Sequence, residues 1–125
     1  MKIILVDDDC LALEGISRML HWERFSGKLS GCAASGREAI ELIEEKKPDV
    51  VISDICMPDV DGLELSRYLF ENCPDTRMIL ISGHSEFEYA QRALQYHVTD
   101  YILKPITRAK FNSLEERLIA IQSEL

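Results

Sequence analysis

Short apolar runs alternate five times with helical patterns along these 125 residues, and this alternation limits the fold more than any other feature. Lys2–Val6, Val50-Val51-Ile52, Met78-Ile79-Leu80-Ile81 and Tyr101-Ile102-Leu103 read as buried strands, and Lys28–Ala33 as a weaker one. Between them, Leu11, Ile16, Met19 and Leu20 recur at helical spacing behind a capping Asp8 or Asp9. Ala39, Ile40 and Ile43, set among Glu38, Glu41 and Glu44, give an amphipathic helix stopped by Pro48. Leu63, Leu65 and Leu69 follow Gly62 as a helix that ends before Pro74, and Phe87–Tyr96 is a fourth helix. Phe111, Leu114, Leu118, Ile121 and Leu125 then step by three and four along one helix face. Strands that are nearly continuously apolar, separated by helices, form a parallel sheet covered on both sides. With right-handed crossovers, the expectation is a doubly wound α/β fold with a five-stranded parallel sheet, in one domain over residues 1–125.

The acidic balance narrows the partners. A formal net charge of −8 opposes approach to the phosphates of a duplex, so no direct nucleic-acid binding is expected of this chain. No apolar run nears the ~20 residues of a membrane span. The N-terminal apolar run meets three aspartates too early to be a signal peptide, so a cytoplasmic location is expected. The four cysteines, Cys10, Cys32, Cys56 and Cys73, form no Cys-x-x-Cys pair and are expected to be reduced, mostly buried thiols. His21, His84 and His97 lack metal-ligand spacing and read as structural or surface residues. The last helical pattern runs to Leu125, which suggests a piece of a longer protein.

The polar residues that this pattern leaves unexplained stand at strand ends. Asp7, Asp8 and Asp9 follow the first strand, Asp54 the third, Ser82 the fourth, and Lys104 with Pro105 the fifth. In a doubly wound sheet such ends meet at one edge, where ligands bind. Carboxylates crowded there repel one another, and a hard divalent cation with oxygen ligands, Mg²⁺, relieves the repulsion. Asp54 is then placed as a nucleophile toward a phosphoryl group, with Lys104 and Ser82 holding phosphoryl oxygens. Each residue alone has a plainer reading: Asp7–Asp9 as a solvated helix cap, Asp54 or Ser82-Gly83 as a turn, Lys104-Pro105 as punctuation, Tyr101 as a packed aromatic. Their convergence on one edge favours the site.

The motifs Val6-Asp7-Asp8, Ile52-Ser53-Asp54-Ile55-Cys56-Met57-Pro58, Asp61-Gly62, Ile81-Ser82-Gly83 and Leu103-Lys104-Pro105 resemble those of response-regulator receiver domains of two-component signalling, over the whole chain. The resemblance implies a (βα)5 flavodoxin-like receiver fold, phosphorylated on Asp54 by a sensor histidine kinase. It implies that Asp8, Asp7, Asp54 and the backbone carbonyl of Cys56 hold Mg²⁺. It also makes Ser82 the hydroxyl that follows the phosphoryl group, Lys104 a phosphate contact in a cis peptide with Pro105, and Tyr101 an aromatic switch. The segments Ser82–Ala90 and Asp100–Ile106 are most similar to receivers that precede an AraC-type helix-turn-helix domain. A C-terminal DNA-binding output domain outside this chain, control of transcription and homodimerisation on phosphorylation are therefore expected. Gly83 departs from the alanine common in the family, and Cys56 and His84 fall where family members tune loss of phosphate. Self-catalysed transfer and slow autodephosphorylation would be the only chemistry, not enzymatic turnover.

Three rivals share some features. Asp59-Val60-Asp61-Gly62 superficially matches the Asp-x-Asp-Gly signature of haloacid-dehalogenase phosphatases, but no apolar strand directly precedes it. A flavodoxin-like electron carrier needs a phosphate-cradling loop after the first strand, where Asp7-Asp8-Asp9 would repel phosphate. A phosphorylation-independent pseudo-receiver scaffold fits poorly with an intact set of site residues.

Overall fold

The computed structural model describes residues 1–83 and 87–125. The chain runs β1 (Lys2–Val6), α1 (Cys10–Met19), a 3-10 turn (Trp22–Phe25), β2 (Lys28–Ala33), α2 (Gly36–Lys46), β3 (Val50–Asp54), α3 (Gly62–Asn72), β4 (Arg77–Ser82), α4 (Phe87–Gln95), β5 (Asp100–Leu103) and α5 (Arg108–Glu124). The five strands form one parallel sheet in the order β2-β1-β3-β4-β5. The doubly wound reading therefore holds.

Alternation along the strands sorts the core into two layers. Ile3, Leu5, Val50, Ile52, Ile79, Ile81 and Ile102 pack with Ile16 of α1 and with Phe111, Leu114, Leu118 and Ile121 of α5. Ile4, Val6, Val51, Met78 and Leu80 pack with Ala39 and Ile43 of α2, Leu63, Leu65 and Leu69 of α3, and Ala93 of α4. Both faces of the sheet are covered, which is why its strands are apolar on both sides. β3 is buried along its whole length. The chain steps from β1 out to β2 and then back past β1 to β3, so the switch point of the fold lies between the ends of β1 and β3.

The helices begin where side chains cap them. Asp9 accepts from the Leu11 N–H, Ser35 from Glu38, Asp61 from Glu64 and Thr107 from Lys110. Each cap is worth about 1 kcal/mol. α2 ends one residue before Lys47, which takes the left-handed conformation at φ 48° and donates to the Ile43 carbonyl. On the edge strand β2, Ile3 pairs with Leu29 but Ile4 with Gly31, so Ser30 is the extra residue of a bulge.

Several expectations need correction. The cysteines are not mostly buried: Cys10, Cys32 and Cys56 are exposed and Cys73 is half-buried, all four as free thiols. They sit at the start of α1, on the edge strand, in the loop after β3 and at the end of α3, where Cys73 packs against the rim of the core. Leu125 follows the last turn of α5 and is exposed, so its place in the 3,4 spacing buries nothing. The 3-10 turn, which buries Phe25, carries no apolar period that would announce it. His84 and the rest of the 84–86 segment lie outside the described residues, whereas His97 is exposed and His21 lies beside Glu115.

Glu115 is the least expected residue of the core. It lies in the buried face of α5 with 1% of its surface exposed. Its carboxylate accepts from the His21 N–H at 2.7 Å, pairs with Arg24, and lies 3.0 Å from the His21 ring Nδ1. These bonds tie α5 to the chain entering the 3-10 turn. Burial pushes the Glu115 carboxyl up, but the His21 N–H, the Arg24 guanidinium and the His21 ring together bring it below its ordinary value. A carboxyl depressed in the folded state stabilises above its unfolded pKa and loses that effect as pH falls through the folded value. Glu115→Gln should therefore cost about 1–3 kcal/mol at neutral pH. The gap to wild type should close as pH drops below about 4.3. Urea unfolding at a series of pH values measures this, and a pH-independent gap would contradict the assignment.

Candidate functional site

The register of the sheet assembles the site. Val6 pairs with Ser53, Asp54 with Ile81 and Ser82 with Leu103, so Asp7, Asp54, Ser82 and Lys104, at or just after these positions, come to one edge of the sheet. The Asp7 N–H donates to the Ala33 carbonyl at 3.0 Å, which holds Asp7 in line with β1. One oxygen of Asp7 accepts from the Asp9 N–H at 2.9 Å, and Asp9 caps α1. Carboxylate oxygens of Asp7, Asp8 and Asp54 lie within 4.8 Å of one another.

Lys104 reaches this cluster from β5. Its backbone N–H donates to the Ser82 carbonyl at 2.8 Å, and the peptide to Pro105 is cis. Its Nζ lies 3.6 Å from Asp7 Oδ2 and 3.5 Å from Asp54 Oδ1. Asp7 and Asp54 are buried, and Asp8 is exposed. Burial is the main reason the Asp54 carboxyl is raised above its ordinary value; Lys104 and the Ile55 N–H oppose the rise, and the charge of Asp8 adds to it. Asp7 is raised likewise by burial first, with the Asp9 N–H opposing, Asp54 adding and Lys104 opposing. Among the described residues one ammonium faces three carboxylates, which leaves this set short of positive charge.

The loop after Asp54 closes the site. Gly62 is obligatory there, because a Cβ would stand 2.6 Å from the Asp54 carbonyl oxygen and 2.8 Å from the Ile55 Cα. Asp8, Ile55, Cys56, Met57, Pro58 and Asp61 line an open hollow of about 440 Å³. The Cys56 thiol faces this acidic surround and is pushed up by burial, then by Asp54, Asp61 and Asp8, which keeps it protonated. A hollow of about 480 Å³ at the opposite end of the sheet has its Glu44 carboxylate taken by the Tyr68 hydroxyl at 2.9 Å.

The structure thus brings together Asp7, Asp8, Asp54 and Lys104, with Ser82 buried at the end of the neighbouring strand. Tyr101 is half-buried on β5, paired with Leu80. Asp59 and Asp61 have other uses than a phosphatase signature. Asp61 caps α3, and Asp59 accepts from the Gly36 and Arg37 N–H groups. The cross-chain role of Asp59 has no signal in the sequence.

A parallel sheet in this order with an acidic cluster at its switch point defines a CheY-like receiver fold. The chain belongs to the response regulator receiver domain family, which matches over residues 3–115. It is 41% identical over 119 residues to the transcriptional regulatory protein YesN of Bacillus subtilis, covering 95% of this chain and 32% of that protein. It is 32% identical over 118 residues to the transcriptional regulatory protein HptR of Staphylococcus aureus, covering 94% of this chain and 46% of that protein. The chain therefore spans less than half the length of these relatives. The solved REC domain of AraT, a response regulator from Geobacillus stearothermophilus, superposes with a TM-score of 0.90 at 34% identity, covering 98% of this chain and 95% of that one. Membership places the chain among signalling receivers, not among turnover enzymes such as the phosphatases. Among the described residues, no helix is long and apolar enough to cross a membrane.

The tight approach at Gly62 gives a direct test. Its neighbours are backbone atoms that cannot swing aside, so Gly62→Ala should destabilise the protein by about 1–3 kcal/mol. Urea unfolding of the two proteins at one pH measures this, and an unchanged midpoint would show that the loop is not packed in this way.

Proposed function

We propose that this chain is a phosphoacceptor unit in which Asp54 takes a phosphoryl group from the phosphohistidine of a sensor kinase. The observation that carries the reading is the placement of Asp54. It closes the central buried strand with the Lys104 ammonium 3.5 Å from its Oδ1 and two further carboxylates beside it. An oxygen of Asp54 attacks phosphorus, the new P–O bond forms, and the bond from phosphorus to the kinase imidazole nitrogen breaks in line. Lys104 holds one equatorial oxygen as a point charge, and the Ser82 hydroxyl donates to another.

The donor set fits a hard divalent cation. Oxygens of Asp7, Asp8 and Asp54 crowd within 4.8 Å and are only partly compensated by Lys104, and by family resemblance the Cys56 backbone carbonyl completes the set. When bound there, Mg²⁺ supplies positive charge against the phosphoryl oxygens.

Ser82 then links the site to an output surface. It lies on β4 beside β5, which carries Tyr101 two positions back in register. Drawing the Ser82 hydroxyl toward a phosphoryl group favours an inward Tyr101, and the two events stabilise each other reciprocally. The α4–β5–α5 face is the expected docking surface for a partner or for a second copy. The greater length of the relatives, and their description as transcriptional regulatory proteins, support an output domain outside this chain that controls transcription; by family resemblance it would be a C-terminal DNA-binding domain.

Intact mass after incubation with acetyl phosphate and Mg²⁺ should show one added phosphoryl group, absent from Asp54→Ala. Equal labelling of that variant would refute Asp54 as acceptor. Millimolar Mg²⁺ should raise the melting temperature, by an amount equivalent to about 2.7 kcal/mol at a hundredfold excess over Kd. Asp8→Asn should remove the rise, and a wild type indifferent to Mg²⁺ would show that the cluster binds none. Ser82→Ala should still be phosphorylated, yet its Tyr101 NMR shifts should respond only weakly to beryllofluoride. Shift changes equal to those of wild type would show that Ser82 does not couple the site to the face.

A further inference from the structure

We infer that Asp59 is a positioning residue for the phosphorylation site: it ties the β3–α3 loop to the N-terminus of α2 and so holds the Cys56 carbonyl ready for the divalent cation. The inference rests on the reading of Asp54, Mg²⁺ and the Cys56 carbonyl given above.

Asp59 bridges two elements distant in sequence. Its Oδ1 accepts from the Gly36 N–H at 3.2 Å and its Oδ2 from the Arg37 N–H at 3.1 Å. These are free donors at the start of α2, since the local cap Ser35 serves the Glu38 N–H instead. The negative charge also meets the positive end of the helix dipole. The two backbones touch at this point, because a Cβ on Gly36 would stand 2.1 Å from the Val60 carbonyl oxygen. Bonds to backbone N–H groups, that of Val60 foremost, outweigh burial and hold the Asp59 carboxyl below its usual value, so it stays ionised and accepts through both oxygens.

The rest of the loop is fixed by other means. Met57 is buried in the same core layer as Ala39 and Ile43 of α2, the Gly62 N–H donates to the Ile55 carbonyl at 2.8 Å, and Asp61 caps α3. Asp59 supplies the tie in the middle of this span, three residues beyond Cys56. α2 is itself anchored by Ala39 and Ile43, so the tie runs from the core through α2 to the loop. A backbone carbonyl that is already in place binds a cation without an ordering cost, whereas a loosened one must be ordered on binding. Asp54, Lys104 and Ser82 stand on strand ends that this tie does not touch. Its loss should therefore change the Mg²⁺ requirement and leave the rate at saturating Mg²⁺ nearly intact.

The experiment compares wild type, Asp59→Ala and the isosteric Asp59→Asn, which keeps only one acceptor oxygen. The phosphorylation rate with acetyl phosphate is measured across Mg²⁺ concentrations, and Mg²⁺-dependent melting is followed without any phosphodonor. Asp59→Ala should raise the half-saturating Mg²⁺ concentration roughly three- to tenfold in both measurements. Asp59→Asn should fall between, with the saturated rate of each variant close to that of wild type. If Asp59→Ala does not fold, Asp59→Asn carries the same comparison. A lower metal-free melting temperature with an unchanged Mg²⁺ half-saturation would overturn the inference and leave Asp59 a structural cap. A wild type that takes no phosphoryl group and ignores Mg²⁺ would overturn the underlying reading as well, an outcome distinct from failure of Asp59 alone.

Discussion

Like charges forced together at the ends of adjacent buried strands are the constraint around which this molecule is arranged. Asp7 and Asp54 close β1 and β3, the two strands at the switch point of the sheet, and Asp8 stands next to them. Burial alone disfavours their ionised forms, and each worsens the position of the others. Lys104 is the one cation that the described residues bring against both buried carboxylates. It comes from β5 and is fixed at its own backbone to the Ser82 carbonyl. A charge deficit remains among the described residues, and the proposed divalent cation and phosphoryl group both answer to it.

The same constraint explains why the surroundings are so firmly tied. A cluster of this kind keeps its geometry only if each carboxylate is carried by an element that cannot retreat. β3 is buried throughout, Asp7 is held by the Ala33 carbonyl, and Gly62 lets the loop after Asp54 fold back against its own strand. Away from this edge, on α5, Glu115 answers a similar problem differently. There a buried carboxylate is satisfied by His21 and Arg24 and serves to fasten α5.

Most of this arrangement is legible in the sequence because it follows from one-dimensional signals. Apolar runs mark the strands, and the residue that ends each run marks its place at the sheet edge. Asp7, Asp8, Asp54, Ser82 and Lys104 could be found in that way, and the aspartates after the first strand announced the cap of α1. What stayed hidden depends on pairs distant in the chain. Glu115 sits in a helical register like any surface glutamate, and only the fold brings His21 to it. Asp59 reads as part of an Asp-x-Asp-Gly string until Gly36 and Arg37 are seen above it. The cysteines were misjudged because burial was assigned from residue type, whereas Cys10, Cys32 and Cys56 occupy a helix start, an edge strand and a loop.

The central claim is that the crowded carboxylate at the end of β3 is the one that reacts. Borohydride reduction of the phosphorylated protein, followed by peptide mass mapping, tests it most directly, because an acyl phosphate is reduced to an alcohol and the acceptor aspartate becomes homoserine. The account predicts homoserine at position 54 and at no other aspartate. Homoserine at position 7, 8 or 59, or a phosphoryl group that survives reduction on a hydroxyl or imidazole, would contradict it.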